Sequence, residues 1–338
     1  MKKSIPMIGI VGAGAWGTAL AQMAAVAGNQ VNIFCRNKAV TQEINSFHSN
    51  KKYLGDRKLS ADISAIDISK NLDIAMFSRC DLLILAVPAQ ATRGFLRALG
   101  SKNKPPMPVV LTAKGFERQT LALQSQILQQ EWEQAIPLIL SGPSFAVDVA
   151  AKKPTAITLA AQNAAVLQMV AKKLASKTFR PYSSNDPKGV ELCGGLKNIY
   201  ALASGAIEGA DLGLSARSAF ISRAVIEMGR IVAAMGGKTA SVNGLAGVGD
   251  LVLSCTSDQS RNYRFGVELG KGKSVDQIMD QGLGLAEGVA STSVAHRMVE
   301  QGNIEAPLVG AINQLLGGEE NISHIVEQLM TRPLKSEG

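Results

Sequence analysis

The stretch Ile8-Gly9-Ile10-Val11-Gly12-Ala13-Gly14-Ala15-Trp16-Gly17 decides the fold. A short apolar run ends at Val11 and passes directly into glycines at 12, 14 and 17, which open an alanine-rich segment. In this G-x-G-x-x-G spacing Gly12 makes a tight turn, Gly14 lets backbone N–H groups approach a pyrophosphate, and Gly17 lets the helix pack closely on the strand. The helix N-terminus then favours the phosphate charge. The spacing alone is a weak signal, but strand, helix and next strand all fall in place around it. Together they predict dinucleotide binding.

Outward from this unit, short β-like runs at 7–11, 31–35, 82–87, 109–111, 138–140 and 156–159 alternate with helical runs at 15–27, 89–99, 120–133 and 164–175. That alternation is the pattern of a parallel sheet covered by helices. Gly28 supplies the left-handed residue that ends the first helix. After Asp186-Pro187 the β-like runs stop, and 190–207, 216–235, 275–279, 287–300, 306–316 and 323–330 carry apolar residues at three- and four-residue spacing. The expected fold is an α/β, Rossmann-like doubly wound sheet followed by an all-α C-terminal domain. The NAD(P)-binding domain is expected over 1–187, a helical substrate and catalytic domain over 188–332, and a flexible tail over 333–338. A chain of 338 residues is long enough for two cores.

Composition excludes several classes. With 46% hydrophobic and 18% charged residues the chain is not a disordered one. No run approaches ~18 consecutive apolar residues, and Met1-Lys2-Lys3-Ser4 leads into no signal-peptide core, so a cytoplasmic protein without stable membrane insertion is expected. Cys35, Cys80, Cys193 and Cys255 are far apart, and His48, His296 and His324 are scattered. Disulfides, a metal site and Ser-His-Asp chemistry are therefore not expected. Thirty-five Lys and Arg against 27 Asp and Glu give +8, but only 4% of the chain is aromatic. The pairs Lys51-Lys52, Lys152-Lys153 and Lys172-Lys173 read as solvated surface, not as a nucleic-acid platform.

The chemistry-bearing residues lie at strand ends and on one apolar helix. An acidic residue at the end of the second strand would bind the ribose hydroxyls of NAD, whereas this chain has Cys35-Arg36-Asn37; Arg36 tilts the choice toward NADP(H), with NAD(H) second. Thr112-Ala113-Lys114-Gly115 and Ser141-Gly142-Pro143-Ser144-Phe145-Ala146 follow two further strands, where ligands bind in doubly wound sheets. Lys197 and Asn198 sit in an otherwise apolar helical run, and burying a lysine costs several kcal/mol unless it is paired or functional. Desolvation is also one route by which an amine becomes a general acid and base. Asp250, after a glycine turn, is placed to orient or balance it. Ser260, Arg261 and Asn262 stand at a helix start, suited to gripping a phosphate dianion with N–H groups and a guanidinium fork.

Taken in order these segments resemble one family, the bacterial-type NAD(P)-dependent glycerol-3-phosphate dehydrogenases. The resemblance runs through Gly12 to Ala21, Asn50 to Leu54, Ala113-Lys114-Gly115, Ser141 to Ala146, Leu196-Lys197-Asn198, Ala246 to Leu251 and Ser260-Arg261-Asn262. It implies hydride transfer between the nicotinamide and dihydroxyacetone phosphate, giving sn-glycerol 3-phosphate for phospholipid synthesis, with Lys197 as the proton acceptor and donor. It further implies substrate contacts at Lys114, Gly142, Ser144, Asp250, Ser260, Arg261 and Asn262. Cofactor contacts are implied at Ala15, Trp16, Arg36, Tyr53, Lys114, Ala146, Arg261, Leu285 and Glu287. Many members carry serine at the position of Ala15, where only backbone can serve here, and valine or isoleucine at that of Leu285. The apolar C-terminal helices leave a homodimer open. Two other classes share the fold signal: a two-domain hydroxy-acid or pantoate-like reductase, and a non-catalytic dinucleotide sensor. The combined Lys197, Asp250 and Ser260-Arg261-Asn262 segments speak against both.

Overall fold

The strand that leads into the glycine-rich turn is an interior strand of an eight-stranded sheet. The structure is a computed structural model that describes residues 7–100, 104–283 and 286–331; Leu285 and the expected tail at 333–338 lie outside the described residues. The chain divides into two units, one of residues 1–117 and 122–191 and one of residues 118–121 and 192–338.

In chain order the first unit contains β1 (Met7–Val11), α1 (Ala15–Val26), β2 (Gln30–Cys35), α2 (Lys38–Phe47), α3 (Lys51–Leu54), β3 (Ile63–Asp67), β4 (Leu82–Leu85) and α4 (Thr92–Ala98). It continues with β5 (Met107–Leu111), α5 (Gln124–Glu131), β6 (Ala135–Ser141), α6 (Ala146–Ala150), β7 (Thr155–Ala160), α7 (Ala164–Leu174), β8 (Phe179–Ser184) and the first turn of α8 (Pro187–Gly209). The strand order is β3-β2-β1-β4-β5-β6-β7-β8, parallel throughout except between β6 and β7. The first six strands follow the 3-2-1-4-5-6 order of dinucleotide-binding sheets, whose crevice opens where the order reverses, here between β1 and β4. Ile8, Ile10, Ile33, Leu82, Ile84 and Val110 are all fully buried. Central strands covered on both faces read as continuous apolar runs, which is why the sequence exposes them.

Two strands escape that logic. β3 is an edge strand in which Ile63 and Ala65 are buried while Ser64 and Asp67 are exposed, so it shows no apolar run. β8, at the other edge, contains Arg180 and Pro181; proline is tolerated there because an edge leaves one row of N–H groups unpaired. The helix expected over 120–133 covers only Gln124–Glu131, because Leu121 takes φ 61°, a conformation no α-helix accommodates. The N-terminus of α5 is instead capped by a distant side chain: the buried Glu191 carboxylate accepts from the Ser125 N–H at 3.0 Å and from the Ser125 hydroxyl.

The second unit is helical among its described residues. After the remainder of α8 come α9 (Gly213–Ala234), α10 (Thr239–Val242), α11 (Asp250–Cys255), α12 (Arg261–Gly270), α13 (Val275–Ile278), α14 (Glu287–Gln301), α15 (Pro307–Gly317) and α16 (Ile322–Met330). α8 and α12 touch backbone to backbone. A Cβ on Gly205 would stand 2.0 Å from the Tyr263 carbonyl oxygen, and one on Gly266 1.9 Å from that of Leu202. Gly209 and Gly270 repeat the contact one turn on, at 2.0 Å from Val267 O and 2.1 Å from Ala206 O. Only glycine permits this approach, and it fixes the register of α12 against the helix that carries Lys197. Glu227, fully buried, caps α15 by accepting from the N–H groups of Leu308 and Val309 at 2.8 and 3.0 Å, with the Tyr200 hydroxyl at 3.2 Å. Among the described residues no helix is long and apolar enough to cross a membrane.

Candidate active site

The dinucleotide loop has the geometry its glycines predict. Gly12 takes φ 106° and donates its N–H to Phe34 O at 3.0 Å; a Cβ there would meet Ala86 O at 2.6 Å. A Cβ on Gly17 would stand 2.0 Å from Gly12 O, so α1 could not pack as it does with any larger residue. Gly14 differs, because nothing lies within 4 Å of its missing Cβ. The loop is thus open beside Gly14, and the first N–H groups of α1 have no acceptor within the helix. An anion of pyrophosphate shape fits such a cradle, and no acidic side chain opposes it in the first turn of α1.

Around this loop, Ala15 and Trp16 are half-buried in the first turn of α1, Tyr53 is exposed on α3, and Ala146 opens α6. Arg36 follows β2 directly, is exposed, and forms no ion pair among the described residues. Its neighbour Asn37 caps α2 by accepting from Val40 N at 3.2 Å.

Beyond β5 and β6 two predicted residues converge on an atom of a third. The carbonyl oxygen of Gly142 accepts from Lys114 Nζ at 3.2 Å and from Ser144 Oγ at 3.0 Å. Gly142 takes φ 149°, and a Cβ would press on Ile157 at 3.1 Å, so the turn after β6 is tight enough to aim that carbonyl at Lys114.

In the helical unit Lys197 is buried with Asp250, which lies at the start of α11 after a π-helical turn over Leu245–Gly249. Its Nζ is 3.2 Å from Asp250 Oδ1 and donates to Ser254 Oγ at 2.7 Å; Ser254 in turn reaches Asp250 Oδ1 at 3.5 Å. Asp250 and Ser254 are each 1% exposed, so the ammonium is balanced and oriented where water has little access. Cys255 beside them is pushed up to about 12 by burial and stays a thiol at cellular pH, despite the opposing Lys197 charge. Ser254 was not foreseen as a site residue. Its signal was the four-residue spacing from Asp250, which puts both on one face of α11.

Ser260, Arg261 and Asn262 do open a helix. Ser260 caps α12 by accepting from Tyr263 N at 3.3 Å, and Arg261 is exposed at the first helical position. The Asn262 carboxamide is engaged at both ends: Nδ2 donates to Asn198 Oδ1 at 2.8 Å and Oδ1 accepts from Gly288 N at 2.9 Å. It therefore ties α8, α12 and the start of α14 together. Glu287 stands half-buried at the first position of α14, while Leu285 falls outside the described residues.

Comparison with known proteins finds one family across nearly the whole chain. A family described as "NAD-dependent glycerol-3-phosphate dehydrogenase N-terminus" matches residues 7–167, and one described as "NAD-dependent glycerol-3-phosphate dehydrogenase C-terminus" matches residues 186–327. Glycerol-3-phosphate dehydrogenase [NAD(P)+] of Chelativorans sp. (strain BNC1) is 43% identical over 330 residues, covering 98% of each chain. The protein of the same name from Maricaulis maris (strain MCS10) is 40% identical over the same length and coverage. A crystal structure of glycerol-3-phosphate dehydrogenase from Coxiella burnetii, 33% identical, superposes with a TM-score of 0.90 over 97% of this chain and 99% of that one.

Proposed function

This chain belongs to the NAD-dependent glycerol-3-phosphate dehydrogenase family, and we infer that it interconverts dihydroxyacetone phosphate and sn-glycerol 3-phosphate with a nicotinamide dinucleotide. The observation that carries this reading is the buried triplet of Lys197, Ser254 and Asp250. An ammonium held by one carboxylate and one hydroxyl is placed to give a single proton to a ketone oxygen in reduction and to take it back in oxidation. Asp250 offsets the desolvation of Lys197, and Ser254 fixes where its N–H bonds point. The bound dinucleotide supplies or accepts the hydride. The cationic Lys197 also stabilises negative charge developing on the substrate oxygen.

The remaining assignments rest on placement. Arg261 and the N–H groups at the start of α12 suit the substrate phosphate, with Ser260 and Asn262 shaping that helix start. Lys114, Gly142 and Ser144 are assigned to substrate as one hydrogen-bonded group, Lys114 also to cofactor. Gly12, Gly14, Ala15, Trp16, Gly17, Tyr53, Ala146 and Glu287 are assigned to the cofactor, and the exposed guanidinium of Arg36 supports NADPH over NADH. The test is conversion by the purified protein: sn-glycerol 3-phosphate should appear in step with NADPH consumed. Cofactor binding without any product would overturn the enzymatic reading in favour of a sensor.

A further inference from the structure

Asn50 stands at the N-terminus of α3, the position where an asparagine ordinarily caps its own helix. It does not do so here. The first amide of α3, Lys51 N–H, is taken by Glu43 Oε1 at 2.8 Å, and the same carboxylate oxygen accepts from Ser49 Oγ at 2.8 Å. Asn50, fully buried, turns its carboxamide the other way. Its Nδ2 donates to Ala13 O at 3.0 Å and to Thr18 Oγ1 at 2.8 Å, and Thr18 Oγ1 makes a longer contact of 3.4 Å with Ala13 O. The orientation is forced, since a carbonyl can only accept and the opposite flip would set oxygen against oxygen. Among the described residues Oδ1 is buried without a hydrogen-bond partner, so the orientation is set by what Nδ2 holds and not by the oxygen.

We propose that Asn50 is the positioning residue of the dinucleotide loop: by pinning the Ala13 carbonyl inward it aims the Gly14 N–H at the cofactor pyrophosphate. The reason is the planarity of the peptide bond. In a trans peptide the C=O and N–H point in opposite directions, so a carbonyl held toward the interior fixes the following amide toward the opposite side. The loop is open beside this residue, since nothing lies within 4 Å of the position of a Gly14 Cβ. Among the described residues the Gly14 N–H has no backbone acceptor. Asn50 thereby acts on cofactor through the loop without touching it. Because it starts the segment that ends at Tyr53 and Leu54, it also holds α3 to the loop.

The inference rests on the cofactor reading of this loop, and the experiment separates the two. Direct titration of NADPH and NADH into the full-length protein gives Kd for wild type, Asn50→Ala and Thr18→Val, each measured well below the melting temperature of that variant. Losing a well-aimed hydrogen bond to a charged group should weaken both cofactors about 10- to 100-fold in Asn50→Ala. The factor should be the same for NADPH and NADH, because the pyrophosphate is common to them. Turnover at saturating cofactor should stay within about 3-fold, since the loss lies in binding. Thr18→Val, which keeps the direct bond from Asn50 to Ala13, should show the smaller loss. If Asn50→Ala melts lower but keeps both Kd values, or loses turnover with Kd unchanged, Asn50 is a structural residue and the inference fails. Absence of dinucleotide binding to the wild type would instead overturn the cofactor reading itself.

Discussion

The ammonium of Lys197 lies closer to the hydroxyl of Ser254, at 2.7 Å, than to the carboxylate of Asp250, at 3.2 Å. The carboxylate supplies charge balance, but the shorter contact sets direction, and a proton donor needs both. Ser254→Ala keeps the ion pair and removes only the directional contact. Turnover should fall about 10-fold, the effect of one hydrogen bond to a charged group, with cofactor Kd unchanged. Unchanged turnover would show that Asp250 alone orients Lys197.

Arg261 stands exposed at the first position of α12, beside N–H groups that no helical carbonyl satisfies. A phosphate held there is held in ground state and transition state alike. Arg261→Ala should therefore raise KM for dihydroxyacetone phosphate more than it lowers kcat, and the wild type should use unphosphorylated dihydroxyacetone poorly. Equal use of both ketones by the wild type would remove the phosphate role from this helix start.

Arg36 follows β2, where the adenosine ribose lies in sheets of this order. A guanidinium pairs with a 2′-phosphate in a way a ribose hydroxyl cannot reciprocate. Arg36→Asp should lower or invert the NADPH-to-NADH ratio of kcat/KM, by a coupling on the order of 1–3 kcal/mol. A ratio that does not move would leave Arg36 as a solvated strand-end residue.

Glu191 caps α5 from a buried position, and desolvation raises its carboxyl from 4.5 to about 7 against the hydrogen bonds from Ser125 and Gln124. Between those two values the folded protein holds a proton that the unfolded chain has released. Stability from this site is thus full below the ordinary glutamate value and is lost as pH rises through about 7. Glu191→Gln removes that dependence, so its melting temperature relative to wild type should climb steadily from mildly acid to mildly alkaline pH. A relative melting temperature that falls over the same range would contradict a raised carboxyl.

The parts of this molecule that are legible in sequence are those whose cause is local. The Gly12, Gly14 and Gly17 spacing is written in consecutive residues, and the buried central strands appear as apolar runs. Lys197 stands out because a charge interrupts an apolar helix. β3 and β8 were invisible because edge strands carry polar residues and a proline without penalty. Asn50 reaches Ala13 from 37 residues away, and nothing near it in sequence announces that its side chain abandons its own helix. The carboxamide of Asn262 bridges Asn198 and Gly288, 64 and 26 residues away, and the residues around it do not announce this either. Such contacts arise only once distant segments are packed, and for Asn262 that packing is the glycine interlock of α8 and α12.

Lys197→Ala tests the central claim most directly. Steady-state reduction of dihydroxyacetone phosphate by NADPH should fall about 10²- to 10⁴-fold in the variant, the usual contribution of a positioned acid–base group, while the protein stays folded and its NADPH Kd barely changes. Turnover close to that of the wild type would show that the proton comes from elsewhere and that the buried triplet of Lys197, Ser254 and Asp250 is not the centre of the chemistry.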